Sequence, residues 1–141
     1  MAVNRNSASF IATKADVRKA LSGIEANLNA VLANLQITAE SKLLEIGRQI
    51  ETRSNEIAPK DTHELVGSSY VESETIGGTT TVEIGYMADH AAYTHENTPS
   101  HEDYKSPTTA GTHFKFLQTA LTEKENDLMN ELASALKEQI K

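Results

Sequence analysis

The chain reads as α+β: a long N-terminal helix, continuous or broken once, then a small antiparallel β-sheet with a hairpin, a long loop and a C-terminal helix. Three observations carry that class. Val17, Leu21, Ile24, Leu28, Val31 and Leu35 recur at alternating four- and three-residue steps, the period of one helix face. Thr80, Val82, Ile84 and Tyr86 alternate with Thr81, Glu83 and Gly85, the period of a strand buried on one side. Near the C-terminus Phe114, Leu117, Leu121, Leu128, Leu132, Leu136 and Ile140 return to mostly helical spacing.

With 141 residues, a single domain is expected by the usual prior of about 100–150 residues. There is no Trp, and Phe plus Tyr come to seven, so the core must be built mainly from Leu, Ile, Val and Ala. The absence of cysteine excludes disulfides, thiol catalysis and cysteine-ligated metal sites. No apolar run approaches the roughly 20 residues of a membrane span. The first residues, Met1 to Ser7, lack the apolar stretch of a signal peptide. These features lead to the expectation of a soluble protein made in a cytoplasm.

Charge is unevenly spread. Residues 1–57 carry seven Lys/Arg against six Asp/Glu, residues 58–112 two against nine, and residues 113–141 four against five. The balances are +1, −7 and −1, so the net −7 resides in the middle third. A nucleic-acid-binding module would need a basic face to displace phosphate counterions. An acidic middle instead repels DNA or meets a basic protein partner.

Taken in order, residues 1–12 are small and polar, and a flexible arm is expected there. Thr13 and Asp16 form a weakened capping box, which starts a helix near Lys14. Its stripe continues beyond Leu35 through Ala39, Leu43, Ile46, Ile50 and Ile57, with one stutter that changes the local winding. Two structures fit residues 14–57. One is a continuous rod of about 43 residues, roughly 65 Å long. The other breaks at Gly23 or around Gln36–Thr38, and it is the expected one, because a compact domain of this size rarely holds so long a rod. Core packing is the expected role of the stripe, with an intermolecular coiled coil as the rival.

Residues 58–96 read as hinge and sheet. Pro59 lacks an N–H and its ring clashes with a preceding helical turn, so the helix must stop. Asp61 and Thr62 offer side-chain oxygens that hold a turn or cap a short helical turn through Leu65 and Val66. Strands are expected at Ser69–Glu74 and Thr80–Tyr86, paired through a turn in which Gly77 and Gly78 supply positive φ. Glu72 and Glu74 should face solvent. A short helical segment fits Asp89–Glu96. Residues 97–112 are rich in Pro, Ser, Thr and Gly and read as a loop of the kind that is functional or disordered. The final helix is placed at 113–141, with Thr112 as its N-cap.

All five histidines lie between His63 and His113, several beside carboxylates. A zinc-hydrolase reading fails on spacing: His95-Glu96 followed by His101 lacks a one-turn separation, and Pro99 interrupts any helix there. Solvated loop histidines are the expectation. No Gly-x-Ser-x-Gly elbow is present, and Gly77-Gly78 lacks the other glycines and the lysine of a phosphate loop. No catalytic residue, cofactor or metal is assigned.

Three ordered motifs remain: Ala58-Pro-Lys-Asp-Thr62 with Leu65 and Ser69, Ala91-Ala-Tyr-Thr-His-Glu-Asn97, and Gly111-Thr-His-Phe-Lys-Phe-Leu117 with Ala120-Leu121. Together they resemble a family of tailed-bacteriophage minor capsid, tail-completion or head–tail joining proteins, over about residues 30–141. The chain departs from the family pattern at His63, where glycine is usual, and at His90, where tyrosine is favoured.

The resemblance implies a structural virion protein rather than an enzyme. It would form a cyclic homo-oligomer, six- or twelve-fold, at the neck between the DNA-filled head and the tail. Its partners would be copies of itself, head-completion or adaptor proteins, and the tail terminator or tube. DNA would pass without being specifically bound, no membrane would be involved, and synthesis would take place in the host cytoplasm. Pro59, Asp61, Thr62, Tyr93, His95, Glu96, Lys115, Phe116 and Leu117 are the assembly-motif residues it singles out. The rival readings are a helical coiled-coil adaptor and a small metal-dependent hydrolase.

Overall fold

In the computed structural model, which describes residues 13–60, 63–96, 111, 112 and 114–141, one helix (α1) runs from Lys14 to Ile57 without a break. Its 44 residues span about 66 Å at the standard rise. The capping box forms as expected. Thr13 Oγ1 accepts the Asp16 N–H at 3.1 Å, and Asp16 Oδ2 accepts the Thr13 N–H at 2.9 Å. Hydrogen bonds from the Thr13 side chain and backbone hold the Asp16 carboxyl below its ordinary pKa. At the other end Ala58 turns extended (ψ 144), as a residue preceding proline must, while its N–H still reaches the Ser54 carbonyl at 2.8 Å.

The expected break at Gly23 or Gln36–Thr38 is therefore corrected. It rested on the assumption that the helix must fit inside a compact body. Instead only its second half does so. A mid-helix glycine costs about 1 kcal/mol relative to alanine, and the stutter shifts the stripe without removing a backbone hydrogen bond.

The remaining elements are α2 (Glu64–Gly67), β1 (Ser69–Ile76), β2 (Thr79–Tyr86), α3 (Ala91–Glu96) and α4 (Phe116–Glu138). The strands pair antiparallel from Ser69↔Tyr86 to Ile76↔Thr79, longer than expected because Thr75 and Thr80 also pair, their hydroxyls 3.0 Å apart. Gly77 and Gly78 both take positive φ (57° and 80°), the two-residue turn whose twist suits a hairpin.

One face of the hairpin, with Val71, Val82 and Ile84, lies on α1. The approach is close because Gly47 has no side chain: a Cβ there would stand 2.8 Å from both Val71 Cγ1 and Val82 Cγ1. Helix α4 runs antiparallel to the second half of α1. Arg53 Nε pairs with Glu123 at 2.6 Å and Lys42 Nζ with Glu131 at 3.5 Å. Ile46, Ile50, Ile57, Leu65, Phe116 and Leu128 form the core among these layers.

Among the described residues the N-terminal half of α1 has no such cover. Val17, Leu21, Ile24 and Leu28 are 48–63% exposed, so the core-packing expectation holds only from about Ile46 onward and is corrected for the upstream stripe.

Helix α4 begins at Phe116, not at residue 113, and its N-cap is Lys115, not Thr112. Lys115 sits in the left-handed region (φ 60), which cannot continue a right-handed helix. Likewise His63, also left-handed (φ 58), is the N-cap of α2 and makes no side-chain capping bond. The turn expected from Asp61 and Thr62, the arm at 1–12 and residues 97–110 of the loop expected at 97–112 lie outside the described residues.

Candidate functional site

Two of the three sequence motifs meet at one joint. Helix α3 supplies His95 and Glu96, the start of α4 supplies Lys115, Phe116 and Leu117, and the end of β2 supplies Tyr86. The left-handed turn at Lys115 brings them together: its N–H donates to the His95 carbonyl at 2.8 Å, and its carbonyl accepts from Thr119 at 2.9 Å. Lys115 Nζ donates to Glu96 Oε2, and His95 Nδ1 lies 2.8 Å from Glu96 Oε1. Lys115 first, then His95, holds the Glu96 carboxyl below the ordinary glutamate range.

Phe116 is the centre of this joint, with no surface left in water. Tyr86 meets its ring edge-on at 5.2 Å and 87°, and His95 does so at 5.0 Å and 84°. Such T-shaped contacts align ring edges with the electron-rich face. His95 is thereby corrected from a solvated loop histidine to a packed helical one. With Nδ1 engaged by Glu96, its buried Nε2 has no hydrogen-bond partner among the described residues.

Sequence reasoning missed the polar tie beneath the joint. Tyr86 OH donates to Asn55 Oδ1 at 2.8 Å and lies 2.6 Å from the Ser54 hydroxyl. Because a phenol has one proton, Ser54 must donate to it. Asn55 Nδ2 then donates to Ser69 Oγ at 2.9 Å. The tie joins α1, β1 and β2, and burial raises the Tyr86 pKa. Ser54 occupies a stripe position, four residues after Ile50 and three before Ile57, so a polar residue on the buried face was the available signal, whereas Asn55 beside it gives none.

The remaining motif residues are dispersed. Pro59 is buried beside Ala58 at the helix end, and Tyr93 is half exposed on the outer side of α3. Asp61 and Thr62 lie outside the described residues. No group of three or more His, Asp and Glu side chains gathers as a metal site among the described residues.

The outer face of the hairpin is acidic. Glu72 stands directly across from Glu83, with Glu74 exposed on the same face. Like charges opposite each other destabilise a sheet, and Tyr70 relieves one of them by donating to Glu83 Oε1 at 2.6 Å. That bond, ahead of burial, raises the Tyr70 pKa. The Tyr70 ring covers Gly85, where a Cβ would come within 2.6 Å of the phenol oxygen.

Chemically, the joint is a fastening. It locks α3, β2 and α4 onto α1 through one aromatic ring, one ion pair and one polar tie. No described helix is long and apolar enough to cross a membrane. No protein-family model, curated protein or solved structure matches the chain.

Proposed function

We propose that this chain is a structural protein of a tailed-phage virion, assembling as a ring at the neck that joins the DNA-filled head to the tail. The observation that carries the reading is the convergence of two resemblance motifs on one joint. Residues 91–96 and 115–117 are separated by a long segment, yet His95, Glu96, Lys115 and Phe116 bond or pack directly. Motifs that fasten a fold suit a protein whose work is to hold neighbours.

Two further features support it. The half-uncovered helix offers surface to other copies, and a cyclic assembly closes such heterologous contacts. The acidic hairpin face, turned to a channel, would let DNA slide past without sticking. The neighbouring genes give a first check, since portal, capsid and tail-tube genes accompany neck genes. The decisive experiment deletes the gene in its phage. DNA-filled heads and finished tails should accumulate separately, and complementation should restore infectious particles. Normal particles without the protein would overturn the reading.

A coiled-coil adaptor is the second reading, favoured by the exposed stripe from Val17 to Val31. Solution mass distinguishes the two, because an adaptor gives a dimer and a neck protein a ring.

A further inference from the structure

Two apolar features are left uncovered among the described residues, and they are complementary. The first is the projecting half of α1. Antiparallel pairing of Arg53 with Glu123 and of Lys42 with Glu131 carries the end of α4 to about the level of Leu35. Upstream of it Val17, Leu21, Ile24, Leu28, Val31 and Leu32 remain 37–63% exposed. From those exposures they present on the order of 500 Å² of apolar surface, the size of the largest patches on monomers, which are often functional. With polar flanks this approaches the roughly 800 Å² that each partner of a stable interface contributes. The second feature is an open groove of about 360 Å³ where α1, β2 and α4 diverge, with Leu43, Gly47, Val82, Ile84 and Leu121 among its lining. It is sized for a few aliphatic side chains. A straight helix cannot fold back into the groove of its own body, so any contact between the two must be intermolecular.

Charge selects among the pairings. The projecting residues 14–35 carry three Lys/Arg against two Asp/Glu, or +1, and residues 36–141 carry nine against eighteen, or −9. Pairing two projecting helices would join like-signed ends, whereas a helix on a neighbouring body joins opposite signs. We propose that the projecting half of α1 docks by its Val17–Leu28 stripe into the α1–β2–α4 groove of the next copy of the same chain. Each copy then offers one knob and one socket, a heterologous contact that closes into a ring when the rotation permits. The proposal rests on the ring reading above for its biological setting and supplies the contact that reading lacks.

The cysteine-free sequence allows a direct test. Ile24→Cys and Leu121→Cys change exposed positions, 63% and 48% accessible, so both variants should fold. Mixed and oxidised, they should give a disulfide-linked pair that neither gives alone. Leu21→Asp with Leu28→Asp should weaken self-association by at least about tenfold per buried carboxylate while helix content is kept. Linkage by Ile24→Cys alone would overturn the proposal in favour of a helix–helix seam. A monomer at all concentrations would overturn it too, leaving the groove to another segment or partner. A ring without the mixed cross-link would refute this contact yet leave the neck reading standing, which fails only if gene deletion spares head–tail joining.

Discussion

Phe116→Ala is the sharpest test of the joint. The side chain is wholly removed from water, and burying such a group is worth about 1.5–3 kcal/mol. The two edge-on contacts with Tyr86 and His95 add about 0.5–1.5 kcal/mol each. The loss should therefore fall at about 3–5 kcal/mol, the usual range for a core Phe→Ala. At about 3–4 °C per kcal/mol for a chain of this size, Tm should fall by roughly 10–20 °C. Urea unfolding followed by far-ultraviolet circular dichroism measures the loss. Phe116→Leu, which keeps most of the apolar volume, should recover more than half of it. A loss below about 1 kcal/mol for Phe116→Ala would contradict a close-packed joint.

Three further outcomes follow from the geometry. Gly23→Ala should stabilise by up to about 1 kcal/mol, since nothing lies within 4 Å of its Cβ position, whereas Gly47→Ala should destabilise because its Cβ meets Val71 and Val82 at 2.8 Å; urea midpoints that move in the same direction would refute the packing of α1 on the hairpin. His63→Gly should stabilise by about 0.5–1 kcal/mol, because it removes the left-handed strain of His63 at a smaller entropic cost; a lower urea midpoint would refute that backbone assignment. Pairing with Lys115 depresses the Glu96 pKa, so its contribution is fully present above the ordinary glutamate range and lost as pH falls through the depressed value. Stability curves of the wild type and Glu96→Gln should therefore differ at neutral pH and converge in acid, and a gap independent of pH would refute the ion pair.

What could be read in the sequence was what local chemistry controls. Thr13 and Asp16 set the start of α1, Pro59 set its end, and Gly77-Gly78 set the hairpin, because each acts through its own backbone or a neighbour three residues away. The alternation at Val82 and Ile84 identified the buried sheet face for the same reason. The unbroken helix was not legible. The apolar stripe from Val17 to Leu35 has the same period whether it faces a core or solvent, and only tertiary contacts decide. Nor was the start of α4: Lys115 is an ordinary helix former, and its left-handed turn follows from the bond to the His95 carbonyl. Nor was the backbone at His63, which is left-handed (φ 58), a conformation that glycine adopts without steric cost and histidine does not announce. Ser54 stands as a polar residue on the stripe, but its pairing with Tyr86, and that of Asn55, was invisible because the partners lie more than thirty positions apart.

The projecting half of α1 raises the question of why it is helical at all. Residues 14–35 standing alone would be marginal, since nucleating a helix is unfavourable by a factor of about 10⁻³ and isolated helices of this length gain little in water. Here no nucleus has to form in solvent. Ile46, Ile50 and Ile57 fix the C-terminal turns against the hairpin and α4, and each residue upstream then adds one hydrogen bond to an existing helix. The Thr13–Asp16 capping box closes the free end by engaging both the Thr13 and Asp16 N–H groups. Order in the rod is thus borrowed from the body, and its local stability must decline from Ile46 toward Lys14. This arrangement suits docking. The stripe is held in its bound shape before any partner arrives, so little conformational entropy remains to be lost on contact. Stiffness also keeps its apolar side chains off the molecule's own groove. A flexible segment of the same composition would collapse onto its own body, whereas a rod whose helix is nucleated elsewhere can only meet another molecule.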